Sequence, residues 1–208
     1  MDTQRGFERL VNFSDAVVAI AATLLVLPLV EIVAPERDLS VRELLAEHRS
    51  DLFAFVLGFL VIYQLWLLHH GLFRNLRGYD SALIWTNFVW LLSIVFLPFA
   101  TKLLARGEGF ERGTAALYIG TIAVAVAMIT AARIVVVRHP ELEFDDARGS
   151  TRVLPSAVAT GIAFAALALS LLFPAVGIWF LVAFAFSGVI TDLIRRVVSS
   201  RRGSERVP

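Results

Sequence analysis

Six stretches of about twenty mostly apolar residues recur along this chain of 208 residues, and no other feature restricts its fold as much. A helix rises 1.5 Å per residue, so about twenty residues cross the roughly 30 Å of hydrocarbon in a bilayer. The stretches run over about residues 10–33, 52–72, 82–104, 114–137, 153–173 and 176–195. In lipid a segment must satisfy its own backbone hydrogen bonds, and runs of this length do so as helices. The expected fold is an all-α integral membrane protein with six transmembrane helices. These form one channel-sized domain over residues 1–208, as a single repeat, with a basic tail at 198–208. Pro28 and Pro98 fall inside spans, where a helix break is tolerated if neighbours satisfy the freed carbonyls.

Charge sets the expected orientation. Loops on the cytoplasmic side collect Lys and Arg. Thirteen arginines fall on the side that carries both termini, among them Arg5, Arg9, Arg74, Arg77, Arg133 and Arg152. Six basic residues (Arg37, Arg42, Arg49, Lys102, Arg106 and Arg112) fall on the other. Both termini are therefore expected in the cytoplasm and the protein in the cell membrane. The start does not read as a cleavable signal peptide, because Asp2, Glu8 and Asp15 spoil a basic leader and no small-residue cleavage site follows. In the loop after the first span, Ser40 with Glu43 three residues on reads as a capping box, and a short surface helix is expected there. Six acids crowd the same loop (Glu31, Glu36, Asp38, Glu43, Glu47 and Asp51). They are either ordinary solvated surface or a funnel that concentrates cations.

Enzymatic chemistry finds little support. The chain has no cysteine, which excludes disulfides, thiolate nucleophiles and Cys-ligated metal. No nucleotide-binding loop, HExxH or GxSxG occurs, and adjacent His69 and His70 point about 100° apart on a helix, a poor start for a metal site. Neither a cofactor nor a nucleic-acid partner is expected.

The polar residues inside the spans carry the remaining information. Asp15 sits in "RLVNFSDAVVAIAATLLVLPLVE" (residues 9–31), where a carboxylate is costly unless paired or wetted. Arg9 lies one and a half turns back and is the first candidate partner. Ser14, Trp66, His69, His70 and Asn87 fall at similar depth, so Arg9 and a histidine could neutralise Asp15 with Asn87 bridging. Such a network either pins helix packing or marks an ion or proton pathway. Along the same helix Ala16, Ile20, Thr23, Leu27 and Val30 recur at three- and four-residue spacing, a single stripe. It could face lipid or core, or line a narrow cation pore that closes by dewetting at Ile20 or Leu27.

At these residues the chain resembles the transmembrane protein 175 family of potassium channels. The resemblance rests on Arg9-x-x-x-Phe13-Ser14-Asp15 followed by Ala19-Ile20-Ala21-x-Thr23-Leu24-Leu25-x-Leu27. It continues through "LWLLHHGLF" (65–73) and "DSALIWTNFVWLLSIVFLPFAT" (80–101), and so covers about residues 9–101. The second half matches only as three further hydrophobic spans. Ala16 stands where glycine is common, and Leu65 replaces an aromatic. The resemblance implies a homotetramer, one six-helix repeat per chain, with the first helix of each subunit lining a pore that conducts K+. Carried over by position, Ile20, Thr23 and Leu27 form the constriction, with Ala16 on the same stripe. Arg9, Phe13, Ser14 and Asp15, with Trp66, His69 and Asn87, hold the first helix in register.

One helix per chain cannot enclose a water-filled path, so symmetry must supply the other walls. Ala16, Ala19, Ala21 and Ala22 permit close helix approach. Two other functions compete. A proton-coupled transporter, or a proton-leak channel, would use Asp15 and His69 as a relay, but transporters usually carry inverted repeats and broken helices, and no repeat is evident. A non-conducting membrane interaction protein would use every polar group for packing alone.

Overall fold

A computed structural model describes residues 2–32, 40–106, 112–173, 179–180 and 182–185. The described elements are α1 (Asp2–Leu24), α2 (Leu27–Ile32), α3 (Val41–Glu47), α4 (Arg49–Phe73), α5 (Ser81–Arg106), α6 (Arg112–Arg138) and α7 (Leu154–Leu172), with a single 3-10 turn at Pro140–Leu142. Among the described residues five segments are long and apolar enough to cross a membrane: Gln4–Glu31, Arg49–Phe73, Ser81–Ala105, Gly113–Arg138 and Leu154–Leu172. They coincide with the first five sequence stretches to within a few residues. The first is the exception, because its helix begins eight residues earlier than expected, at Asp2. Of the sixth stretch, 176–195, only residues 179–180 and 182–185 are described, as helix. The tail 198–208 and the loop acids Glu36 and Asp38 lie outside the described residues.

The two prolines behave differently. Pro28 has no N–H to give Leu24, and its ring would collide with that carbonyl. α1 accordingly ends at Leu24, and the chain turns through Leu25 and Val26 before α2 starts. Val26 donates to the Thr23 carbonyl at 3.2 Å, and Leu29 to the Val26 carbonyl at 2.9 Å, so the turn keeps backbone groups paired. Pro98 lies within an unbroken α5. One turn past it, the Thr101 hydroxyl donates to the Leu97 carbonyl at 2.8 Å.

α5 packs against α1, α4 and α6, and α6 packs in turn against α7. Ile62 and Leu65 of α4, Trp90, Ile94 and Leu97 of α5, and Tyr118, Ile119 and Ile122 of α6 are fully buried where these helices meet. Lipid is as apolar as these side chains, so close van der Waals packing and interhelical hydrogen bonds hold such a bundle together. Thr130 and Thr160 make one such bond between α6 and α7, at 2.8 Å.

At the end that carries the N-terminus, two connections are stitched together. Arg77 donates its backbone N–H to the Leu142 carbonyl at 2.8 Å, and Phe144 donates to the Asn75 carbonyl at 3.0 Å. Between them Glu143 is buried, accepting from the Gly149 N–H at 2.7 Å and the Thr151 hydroxyl at 2.6 Å. At the opposite end Ser40 and Glu43 form the expected capping box at the start of α3. Glu31 pairs with Lys102 at 2.8 Å, tying α2 to α5.

Candidate functional site

α1 has two unlike faces. Phe7, Ser14, Val18, Ala21 and Leu25 turn inward and are buried, a seven-residue rhythm that suits a helix packed on one side. The opposite face is exposed. Phe13 and Ile20 are each 60% exposed and Leu27 is 50% exposed, with Ala16 and Thr23 exposed between them. The stripe Ala16, Ile20, Thr23, Leu27 is therefore outward along its whole length. Thr23 donates its hydroxyl proton to the Ile20 carbonyl at 2.8 Å. That bond uses the proton and leaves both lone pairs of the hydroxyl oxygen as acceptors.

Behind this stripe a hydrogen-bonded chain fixes α1 to α5 and α4. Ser14 donates to the Leu10 carbonyl at 2.9 Å. Its oxygen accepts from the Asn87 side-chain amide at 3.0 Å. The Asn87 carbonyl oxygen meets His69 Nε2 at 2.8 Å. Because Asn87 spends its amide on Ser14, its oxygen must accept, so His69 carries its proton on Nε2. Every bond then has one donor and one acceptor. The imidazole is 1% exposed, held between the rings of Phe73 (3.9 Å) and Trp90 (4.1 Å).

Asp15 belongs to a separate contact. Its Oδ1 accepts from the Trp66 indole N–H at 2.8 Å, and Trp66 stacks on Tyr63 and His70. No ion pair joins Asp15 to Arg9. Arg9 lies exposed on α1 and takes no part in the network expected for it. The reason is angular: six residues along a helix is a rotation of about 600°, so the two side chains stand some 120° apart. Asp15 is half-buried and, with Glu8, Asn12, His70 and Arg74, lines a cleft of about 460 Å³. Water in that cleft can reach the carboxylate.

Of the residues singled out from sequence, the structure thus joins Ser14, Asn87 and His69 in one chain and Asp15 with Trp66 in another. It leaves Arg9 and Phe13 on the exposed side of α1. Trp90 was not singled out, although it lies three residues past Asn87 on the same face of α5, which is the spacing that could have found it. Among the described residues no group of three or more His, Asp or Glu is placed to hold a metal ion.

Together these features define a class: a multi-span helical membrane protein whose first helix is pinned on one face by buried polar bonds and left bare on the other. Residues 9–98 match the family described as the endosomal/lysosomal potassium channel TMEM175. That match takes in 90 of the 208 residues, all in the first three spans. The chain is 39% identical over 103 residues to a potassium channel of Chamaesiphon minutus, covering 47% of this chain and 49% of that one. It is 30% identical over 122 residues to the human endosomal/lysosomal proton channel TMEM175, covering 57% of this chain and 24% of the human one. The match thus spans half or less of these relatives' length. The fold is also that of a crystal structure of a lysosomal potassium-selective TMEM175 homologue from Chamaesiphon minutus. There the TM-score is 0.69 at 28% identity, covering 92% of this chain and 98% of that one.

Proposed function

We propose that this chain is a potassium-preferring cation channel, assembled as a homotetramer with α1 of each subunit lining the pore. The observation that carries the reading is the bare stripe on α1. A span held on one side by a buried hydrogen-bonded chain, with Ala16, Ile20, Thr23 and Leu27 exposed on the other, is arranged to meet copies of itself around an axis. Four copies of Ile20 and Leu27 make apolar constrictions that close by dewetting. Four copies of Thr23 between them offer a ring of oxygens to a partly dehydrated ion. So few oxygens replace little of the hydration shell, and the preference for K+ over Na+ is modest. The ion itself is all the machinery needs, with no cofactor. The arginine asymmetry supports a cell-membrane protein with both termini in the cytoplasm.

Reversal potentials of the purified chain in planar bilayers test the proposal. Unitary currents whose reversal potential follows the K+ gradient support it. Saturable, proton-coupled flux without unitary currents would overturn it.

The name of the human relative favours a second reading, proton conduction. His69 is poorly suited to a relay, since two aromatic rings enclose it and the next group along is an amide, which does not take up a proton near neutral pH. Asp15, wetted by the cleft, is the better placed of the two.

A further inference from the structure

Arg133 is an anomaly inside the fourth span. It lies five residues before the end of α6 at Arg138, about 7.5 Å inside by helical rise. It sits one turn beyond Thr130, on the face of α6 that meets α7, and it is half-buried. Its contact with a polar group is a long bond from Nη1 to the Arg152 carbonyl, 3.4 Å. Its Nε is buried with no hydrogen-bond partner among the described residues.

No carboxylate of the neighbouring connection serves it. Glu141 pairs with His139, Glu143 is taken by Gly149 and Thr151, and Asp145 by Arg77 and Arg148. Asp146 is exposed and makes no ion pair with it. An unpaired guanidinium in this position is costly unless an anion supplies the missing charge.

Position and one neighbour indicate what that anion is. Arg152 is exposed, touches Arg133 through its backbone carbonyl, and adds a second positive charge where α6 ends and α7 begins. A positive pair at the membrane edge, at the level of lipid headgroups, matches an amphiphile with an anionic head. We infer that Arg133 and Arg152 bind the phosphate of an anionic phospholipid. Arginine suits this ligand because its planar fork engages two phosphate oxygens at once, and basic crevices between membrane helices are where such headgroups settle.

The test is lipid retention by the full chain in neutral detergent, read by native mass spectrometry. The probes are 1-palmitoyl-2-oleoyl phosphatidylglycerol and the matching phosphatidylcholine. The wild type retains phosphatidylglycerol about tenfold better, the scale of one or two charge-assisted hydrogen bonds. Arg133→Gln removes that preference, whereas Arg138→Gln, at the exposed end of the same helix, keeps it. Arg152→Gln weakens retention partially and, being exposed, does so without disturbing the fold, so the inference stays testable if Arg133→Gln misfolds. Equal retention of the two lipids by the wild type overturns the inference. So does an equal loss in Arg133→Gln and Arg138→Gln, which would mean diffuse surface charge. Competition by millimolar inorganic phosphate as effective as that of the lipid would assign the site to a soluble anion and overturn the lipid.

Discussion

Trp66 donates its indole N–H to Asp15 across 2.8 Å, and this one contact links α4 to the carboxylate that is hardest to accommodate in α1. Trp66→Phe keeps the ring and removes the donor. A hydrogen bond to a charged group contributes about 1.5–3 kcal/mol when buried. Water in the adjoining cleft can replace part of it here, so the expected loss is about 1 kcal/mol. Asp15→Asn keeps an acceptor oxygen and weakens the bond without deleting it, and should cost less than Asp15→Ala. Thermal unfolding of the assembled protein in detergent orders the three variants. Equal melting temperatures for Asp15→Asn and Asp15→Ala would show that the indole contact does not hold the helix. A loss of ion selectivity with stability intact would show that Asp15 serves the ion and not the packing.

The chain from His69 through Asn87 to Ser14 is buried, so its removal should be felt without compensation from water. Interhelical hydrogen bonds in membranes average about 0.6 kcal/mol and reach about 1.7 kcal/mol. Asn87→Ala breaks two at once and is expected to cost about 1–3 kcal/mol. A double-mutant cycle with Ser14→Ala and Asn87→Ala isolates the shared bond. A coupling energy of zero would mean that the two side chains are neighbours without being partners.

Much of this was legible from sequence for a physical reason. Spans are legible because the bilayer fixes their length, and the depth of Ser14, Asn87 and His69 along three spans brings them to one level. Depth does not give angle. Proximity along the chain pairs Arg9 with Asp15, yet the rotation between them points Arg9 away, and the partner of Asp15 comes from α4. The outward set of Ala16, Ile20, Thr23 and Leu27 could be grouped by periodicity, but which way the group faced required knowing where Val18, Ala21 and Leu25 packed. The stitching of residues 75–77 to 142–144 had no signal at all, since an isolated bridge between two loops leaves no pattern in either one.

Gly58 tests how tightly the turn after α1 is held. A Cβ there would lie 3.0 Å from Thr101 Oγ1 and 3.2 Å from Leu25 Cδ2. Leu25 is the residue at which α1 gives way to the turn. Gly58→Ala must displace one of the two, at an expected cost of about 1–3 kcal/mol, the range for overpacking. Gly71 on the same helix has nothing within 4 Å of such a Cβ. Gly71→Ala should therefore be neutral or stabilising by up to about 1 kcal/mol from helix propensity alone. If both alanine variants melt alike, the close approach at Gly58 does not constrain the turn.

The α3 cap carries a pH dependence of known sign. The Ser40 hydroxyl first, and the Ser40 backbone N–H next, hold the Glu43 carboxyl below its ordinary value of 4.5. A carboxyl whose value is lower in the folded state stabilises that state while ionised. Its contribution is present in full well above 4.5 and is lost as the pH falls through the lowered value. Amide hydrogen exchange at residues 41–47, corrected for intrinsic rate, should accelerate on acidification in the wild type. Glu43→Ala should exchange faster at neutral pH and show no further acceleration. Identical pH profiles for both would remove the capping box from the account.

Ile20→Asn addresses the proposed gate directly. Ile20 is 60% exposed and contacts no polar partner, so the substitution leaves the buried face of α1 untouched and should not reduce folding. In a tetramer it places four amides where four sec-butyl side chains excluded water, so the constriction stays wetted and the barrier to a hydrated cation falls. Open-channel current at fixed K+ concentration should rise severalfold, with a weaker preference for K+ over Na+. Val18→Asn, one face away and buried, should instead destabilise the protein. The gate is misplaced if Ile20→Asn and Leu27→Asn both leave current unchanged in protein that assembles normally, for then neither side chain stands in the path of the ion.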